Sequence, residues 1–404
     1  MTKKLNIVFA TAADLPEGGG NTTRLKTLVA ALRGMGHKVR LLLEHSHGSV
    51  SPDMLQLTGD IDGAPFEYII GTTKKPEGYK FFTKKLSAVF LMRDRIKALH
   101  AEEPIDILWF NHSAAHLIYP LSRLAHQLSI KTVHSYEDER VKGSGLKRKL
   151  IYANQSFADN RLTKQADHLI VISNYLKEKY AQLTQGKVPI TLIPTIIKPE
   201  YWDCTNDDNN HDIPLLMYSG GFYGFDEVEE VIKAIRILKD RNLLVNYHMI
   251  GYNKRNPAYM ESINQLIKSN GLDEQVKMLG FTPFAELKGK LAKANLLIGI
   301  RKDDEWSSTG FSTKLSEYLA TGRPILCAAL GDNTYYLKNG ENAFMVQPGA
   351  QAQEIADAIQ AALTDKERAS TIGKKGQEVA LAHFSQKVAQ KELDKVFDQL
   401  FCNQ

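Results

Sequence analysis

The chain has 404 residues, 43% hydrophobic and 24% charged, with a net charge of +5, a length that exceeds one ordinary core and a balance that excludes a disordered chain. Its three cysteines, Cys204, Cys327 and Cys402, are too few and too scattered for a disulfide framework or a metal site, which fits a reducing cytosol. No window approaches the ~20 apolar residues that a membrane span requires, so two α/β domains in solution are expected.

The N-terminal stretch MTKKLNIVFATAADLPEGGG has two lysines before an apolar run, Leu5 to Ala13. The run is short for a signal peptide and reads as the first strand, Leu5 to Ala12. Gly18-Gly19-Gly20 then makes a tight turn, and Asn21 or Thr22 caps a helix with Leu25, Leu28, Val29 and Leu32 on one face. Gly34 and Gly36 end that helix, and Val39 to Leu43 is the next strand, a Rossmann-type start. Asp60-Ile61-Asp62 sits between Gly59 and Gly63 with no apolar strand leading into it, so a turn is expected rather than a metal-ligand pair. Later strands are expected at Ile105 to Phe110, Lys131 to His134, His168 to Ile172 and Thr191 to Ile193. The helices among them are Ser113 to Gln127, Lys147 to Gln165 and Asn174 to Gln182.

Charge is uneven along the chain. Residues 1 to 200 hold 28 Lys+Arg against 19 Asp+Glu, or +9, and the remainder 23 against 27, or −4. The positives cluster at Lys74, Lys75, Lys80, Lys84, Lys85, Arg93, Arg95 and Lys97, with Tyr79, Phe81, Phe82, Phe90 and Leu91 interleaved, and again at Arg140, Lys142, Lys147, Arg148 and Lys149. Such a surface suits an anionic membrane, or is an ordinary solvated helix face. Nucleic acid is not expected as a partner, because no recognition-helix or ribonucleoprotein motif accompanies the charge.

The polar run TNDDNNHD, Thr205 to Asp212, has nothing apolar to bury and marks a linker over residues 199–213. It separates a first domain, residues 1–198, from a second, residues 214–384. The second repeats the plan: strands Leu215 to Ser219, Val245 to Gly251 and Val276 to Gly280 alternate with helices Asp226 to Arg241, Ala258 to Asn270 and Phe284 to Lys293. Next comes ANLLIGIRKDDEWSSTGFSTKLSEYLATGRPILCA, Ala294 to Ala328. It reads as a buried strand to Ile300, a polar loop with Gly310, a helix from Thr313 to Ala320 and a strand from Pro324 to Ala328. Ser312 and Thr313 are candidate caps, and Lys314 and Glu317 lie one turn apart, so free N–H groups and a cation gather where an anion can sit. A strand Ala343 to Val346, an amphipathic helix on Ile355, Ala358, Ile359 and Leu363, and a last helix within residues 385–404 complete the chain.

This segment resembles the donor-binding segment of family 4 glycosyltransferases, retaining enzymes of the GT-B fold, in which two glutamates eight positions apart flank a Gly-Phe pair. Here the pair is Gly310-Phe311, the second glutamate is Glu317, and Thr309 stands at the position of the first. Further signposts follow in the family's order: the glycine loop with GHKV at Gly36 to Val39, ADHLIVIS at Ala166 to Ser173, LIP at Leu192 to Pro194, YSGGF at Tyr218 to Phe222, LGF at Leu279 to Phe281, and NGENAFMVQPG at Asn339 to Gly349.

The resemblance implies two Rossmann-like domains facing across a cleft, with the C-terminal helix crossing back to the first, the acceptor on the N-terminal domain and the nucleotide sugar on the C-terminal one. It implies transfer of a sugar from a nucleotide-sugar donor to a glycan or lipid-linked acceptor in cell-surface polysaccharide synthesis; a cytoplasmic place is expected, with the basic first domain peripheral on the inner face of the plasma membrane. Glu317 is expected on the nucleotide ribose, and the donor-binding set is Gly19, Gly20, Gly220, Gly221, Thr309, Gly310, Phe311, Ser312, Thr313 and Glu317. Preorganised cations and amides can stabilise the leaving diphosphate without a metal, so no cofactor is expected. The family's Arg and Lys after the first strand of the second domain are missing from SGGFYGFDEVEE, leaving Arg301 and Lys314 for this task, unless Arg301 pairs with Asp303 or Asp304. The family often has a histidine near the transferred sugar, which assigns His134 an orienting role. The leaving phosphate itself takes the acceptor's proton, so Glu137 is either a catalytic group or a solvated acidic turn. Two other classes stay open: a catalytically silent nucleotide-binding scaffold of the same fold, and a nucleotide-sugar epimerase.

Overall fold

The computed structural model describes the chain apart from residues 1–3, 47–51, 75–79, 112–114, 138–148, 150–151, 154–155, 205–208, 223, 253–255, 305–306 and 402–404. The chain divides into two compact units, residues 1–196 with 386–404, and residues 197–385.

The first unit is built on an eight-stranded sheet. Its strands are β1 (Asn6–Thr11), β2 (Lys38–Leu43), β3 (Thr58–Ile61), β4 (Ala64–Tyr68), β5 (Ile107–Asn111), β6 (Lys131–Tyr136), β7 (His168–Val171) and β8 (Ile190–Leu192), in the order β3-β4-β2-β1-β5-β6-β7-β8. All pairs are parallel except the hairpin β3–β4. A parallel sheet is covered on both faces, which is why β1 and β5 are almost continuously apolar. Ile7, Phe9 and Trp109 face α1 (Gly20–Gly34) through its Leu25, Leu28, Val29 and Leu32. Val8, Leu108 and Phe110 face α2 (Lys80–Glu102) and α3 (Ala115–Gln127). Helix α4 (Asn174–Thr184) lies beside β7 and β8, opened by the Ser173 hydroxyl accepting the Leu176 N–H at 3.2 Å.

The second unit carries a parallel six-stranded sheet. Its strands β9 (Leu215–Ser219), β10 (Asn246–Ile250), β11 (Val276–Gly280), β12 (Leu296–Gly299), β13 (Ile325–Ala328) and β14 (Phe344–Val346) take the order β11-β10-β9-β12-β13-β14. The helices are α5 (Pro199–Trp202), α6 (Val228–Asp240), α7 (Pro257–Ser269), α8 (Phe284–Leu291), α9 (Thr313–Ala320), α10 (Asn333–Tyr336), α11 (Ala352–Thr364) and α12 (Lys366–His383). One face buries α6, α7 and α11; the other buries α5, α8 and α9 together with Phe384. The last helix, α13 (Gln386–Phe401), belongs to the first unit, where Leu393, Val396, Phe397 and Leu400 pack beside α1. Gln386 and Gln390 donate to the Ala30 and Ala31 carbonyls at 3.1 and 3.0 Å, taking up acceptors near the end of α1.

Most expected elements are present, and the departures have local causes. The turn expected over Asp60-Ile61-Asp62 is corrected in part: Asp60 and Ile61 end β3, paired with Pro65 and Ala64, and only Asp62-Gly63 turn, with the Asp60 carboxylate accepting the Gly63 N–H at 2.7 Å. The expected helix Lys147 to Gln165 falls partly outside the described residues; its described end is a π-helical turn (Ala158–Leu162) and a 3-10 turn (Thr163–Gln165). The basic cluster Arg140 to Arg148 lies outside the described residues, as do Lys75 and Tyr79. Of the polar run, Thr205 to Asp208 lie outside them too, whereas Asn209 donates to the Ala294 carbonyl at 3.2 Å, within the second unit. Cys327 is fully buried in β13, in the core as its apolar neighbours required. Helix α12 has a weakly amphipathic sequence rich in Lys and Glu and was not anticipated.

Candidate functional site

In each unit the strand order reverses beside the first strand, and the crevice at the carboxyl ends of such strands is where open α/β sheets take ligands. In the second unit that point lies between β9 and β12. β9 runs into Gly220 and Gly221, and β12 into Arg301. The two connections are joined, because Asp226 and Arg301 form a short antiparallel bridge. Helix α6 starts at Val228 rather than Asp226, and this leaves the Asp226 side chain in the loop.

That carboxylate is the centre of the site. Lys314 Nζ lies 2.8 Å from Asp226 Oδ2, Tyr218 donates its hydroxyl to the same oxygen at 2.7 Å, and the ammonium sits 4.3 Å from the centre of the Tyr218 ring. Burial opposes the charge on Asp226, yet Lys314, Tyr218 and Arg301 together hold its carboxyl below the ordinary carboxylate value. There is no room for a side chain at Gly220: a Cβ would stand 2.0 Å from the Tyr218 hydroxyl and 3.0 Å from Lys314 Nζ. Gly251 approaches as closely, its φ being +128° and its Cβ position 1.8 Å from the Gly220 carbonyl.

Around the start of α9 the structure collects the other expected residues. The Asp304 carboxylate accepts the Ser307 N–H at 2.7 Å, opening the turn Ser307–Thr309; Arg301 makes no ion pair with Asp303 or Asp304 among the described residues, and its buried Nε has no hydrogen-bond partner there. Thr309 is buried. Phe311 puts its ring into the core, stacked on Phe384 at 4.6 Å and edge-on to Tyr336 at 5.4 Å, so it can offer a ligand only its backbone. Ser312 is the N-cap residue but its hydroxyl caps no amide, correcting the expectation of a side-chain cap from Ser312 or Thr313. The first amides of α9 therefore remain for another acceptor, beside Gly310, Thr313 and Lys314. One turn on, Glu317 is half-buried, and burial pushes its carboxyl up to about 7 against the pull of Lys314.

The remaining expected residues belong to the first unit. Gly19 is the N-cap of α1 and Gly20 its first residue, with open space where a Gly20 side chain would be. His134 lies inside its strand rather than at the strand's end. β6 continues past it to Tyr136, its ring is fully enclosed edge-on to Phe110 at 4.9 Å, and neither ring nitrogen has a hydrogen-bond partner among the described residues. Burial lowers its pKa to about 3, so the ring stays neutral. Nor is Glu137 a solvated turn. Arg24, buried in α1, donates Nε to it at 3.0 Å and spans to the Pro194 and Ile193 carbonyls at 2.5 and 2.8 Å.

Two groups escaped sequence reasoning. Asp226 was visible only as one acid among several in FDEVEE; nothing local distinguishes it from Glu227. At the carboxyl end of β2, buried Glu44 bonds His116 Nε2 at 2.8 Å, with His45 Nε2 3.7 Å from its other oxygen, and Ser46 donates to Asp14. The signal was available there: Glu44-His45-Ser46 is a polar run directly after an apolar strand.

The profile described as Glycosyltransferase Family 4 matches residues 18–201, and the one described as Glycosyl transferases group 1 matches residues 206–379. Among curated proteins, the chain is similar to the amylovoran biosynthesis glycosyltransferase AmsK of Erwinia amylovora, 22% identical over 269 residues, which are 64% of this chain and 62% of that relative. The chain thus matches about three fifths of that relative's length. Among solved structures it is similar to a glycosyltransferase from Rickettsia africae ESF-5, with 14% identity, full coverage of both chains and a TM-score of 0.74. It is also similar to HepE of Anabaena in complex with UDP, with 16% identity over 98% of this chain and 100% of that one, and a TM-score of 0.74. With a family profile on each of its two Rossmann-like units, and GT-B structures of matching length, the chain belongs to glycosyltransferase family 4.

Proposed function

We propose that the chain transfers a sugar, with retention of anomeric configuration, from a nucleotide sugar to a glycan or lipid-linked acceptor in cell-surface polysaccharide synthesis. One observation carries this reading. At the β9/β12 reversal, a helix start that no side chain caps, two cations (Arg301 and Lys314) and a carboxyl one helical turn further on (Glu317) converge in one unit. The amides of Gly310 to Thr313 and the two cations hold the donor diphosphate, and Glu317 accepts the ribose hydroxyls. As the glycosidic bond breaks, these same groups stabilise the charge on the leaving phosphate, so the reaction proceeds without a metal cofactor. The leaving phosphate takes the acceptor's proton, which leaves no task for His134. UDP in the Anabaena structure supports a uridine donor, and the relative's part in amylovoran biosynthesis supports a polysaccharide product.

The first unit receives the acceptor, whose ring hydroxyls suit the polar group at Glu44 and His116. A lipid-linked acceptor also suits α2, where Leu86, Phe90 and Leu91 are exposed beside Lys84, Lys85, Arg93 and Lys97. That face favours peripheral association with the anionic inner surface of the plasma membrane.

The test is a thermal-shift and calorimetric screen with UDP-, ADP- and GDP-sugars, because a ligand that binds only the folded state stabilises it. Stabilisation by one nucleotide family is expected. Glu317→Ala weakens binding roughly 10- to 100-fold, the loss of hydrogen bonds to a charged group. Turnover with a retained anomeric configuration, read by NMR of the product, completes the proposal; no shift with any nucleotide overturns it. Buried Thr309, standing where the resemblance places an acid, favours one second reading, a catalytically silent nucleotide binder. Binding without turnover on any acceptor would select it.

A further inference from the structure

We propose that Asp226 is a built-in counter-anion of the donor diphosphate site. It holds Lys314 in the free protein and competes with the diphosphate for the same ammonium, which sets how readily the nucleoside diphosphate product leaves. The inference deepens the reading of this site given under the proposed function and rests on it.

The geometry is specific. Asp226 Oδ2 receives both the Lys314 ammonium at 2.8 Å and the Tyr218 hydroxyl at 2.7 Å. The ion pair is little exposed, 15% for Lys314 and 14% for Asp226. Asp226 is fixed by backbone, being bridged to Arg301 and flanked by the Glu227 N–H bonded to the Ile300 carbonyl at 3.0 Å and the Lys302 N–H bonded to the Phe225 carbonyl at 2.8 Å. Lys314 instead reaches it from the first turn of α9 on a flexible stem. A site that gathers two cations for a diphosphate thus carries one anion of its own, directly on one of them. An ammonium has three donors, so Lys314 can turn from the carboxylate toward a phosphate, and the carboxylate draws it back when the phosphate departs.

Removing one partner of a buried ion pair leaves the other uncompensated, which destabilises the free protein. Here the uncompensated charge is the one that meets the diphosphate. Asp226→Asn, which keeps the shape and still accepts from Tyr218, therefore moves two observables in opposite directions. The free protein melts at a lower temperature, but anion affinity rises. A merely structural role for Asp226 would lower both.

Calorimetric titration of the full-length protein with UDP, ADP, GDP and inorganic pyrophosphate tests this, pyrophosphate reporting on the diphosphate site without a base. For the probe that the unsubstituted protein binds best, Asp226→Asn is expected to bind at least about tenfold tighter, as for removal of a competing close charge. The gain disappears in the double variant Asp226→Asn with Lys314→Gln. In turnover, Asp226→Asn lowers both the donor KM and kcat, because product release slows. Unchanged or weaker binding in Asp226→Asn, or a gain that survives loss of Lys314, overturns the inference while leaving the donor-site reading intact. If the unsubstituted protein binds none of the four probes, the donor-site reading fails first and the inference with it. Asp226→Ser carries the same expectation should Asp226→Asn not fold.

Discussion

His134 is enclosed and Glu317 half-buried, and burial moves their pKa values in opposite senses. For His134 the folded-state pKa of about 3 lies below the ordinary 6.5, so the neutral ring contributes stability that is fully present above 6.5 and lost as pH falls toward 3. We expect His134→Leu to remove a slope of up to about 1.4 kcal/mol per pH unit in that window, measured by urea denaturation between pH 4 and 7. At neutral pH the same variant should be close to neutral in stability, because neither ring nitrogen has a partner to lose. Glu317 is the reverse case. Its carboxyl, raised from 4.5 to about 7, contributes stability that is fully present below 4.5 and lost as pH rises through 7. Glu317→Gln should therefore melt above the unsubstituted protein at pH 8 and alongside it at pH 4; a gap independent of pH would show that burial does not raise this carboxyl. That His134 ends in the core was not legible, because a strand residue's face depends on which helices cover the sheet.

Element by element, the apolar periodicities were enough to mark β9, β11 and α9 to the residue and most other elements to within two. What they could not mark is how the loop before α9 is held. Gly331, at φ +53°, lets the Ser308 carbonyl come within 2.6 Å of where a Cβ would be. Gly331→Ala should cost about 1–3 kcal/mol of strain and weaken UDP binding by displacing residues 307–312, which calorimetry would show. A substitution that lowered stability but left UDP affinity intact would mean that the loop does not hold the donor. For α13, Leu393 is fully buried beside α1. Leu393→Ala is expected to destabilise the protein by about 2–5 kcal/mol in urea denaturation, and a smaller effect would place the helix loosely on the first unit.

For the molecule as a whole, the charge imbalance is the property that acts at longest range. The first 200 residues carry +9 and the rest −4, and on α2 several of those positives flank exposed Leu86 and Phe90. Co-sedimentation with phosphatidylserine vesicles should be lost in Leu86→Asp with Phe90→Asp, and should weaken with salt as the ~10 Å screening length at 0.1 M shortens. Binding that ignores both would assign the α2 face no such role. The sequence by itself determined two alternating strand–helix domains, the family, and the segment that turns at Gly310 and opens a helix with Lys314 and Glu317. These follow from apolar periodicity and turn residues, which act over a few positions. Only the tertiary structure decided which charged groups are already partnered: Arg24 on Glu137, Asp226 on Lys314, Glu44 on His116. Partners so far apart in sequence meet because parallel strands bring their carboxyl ends to one edge, and no local pattern records which remote side chain will stand opposite.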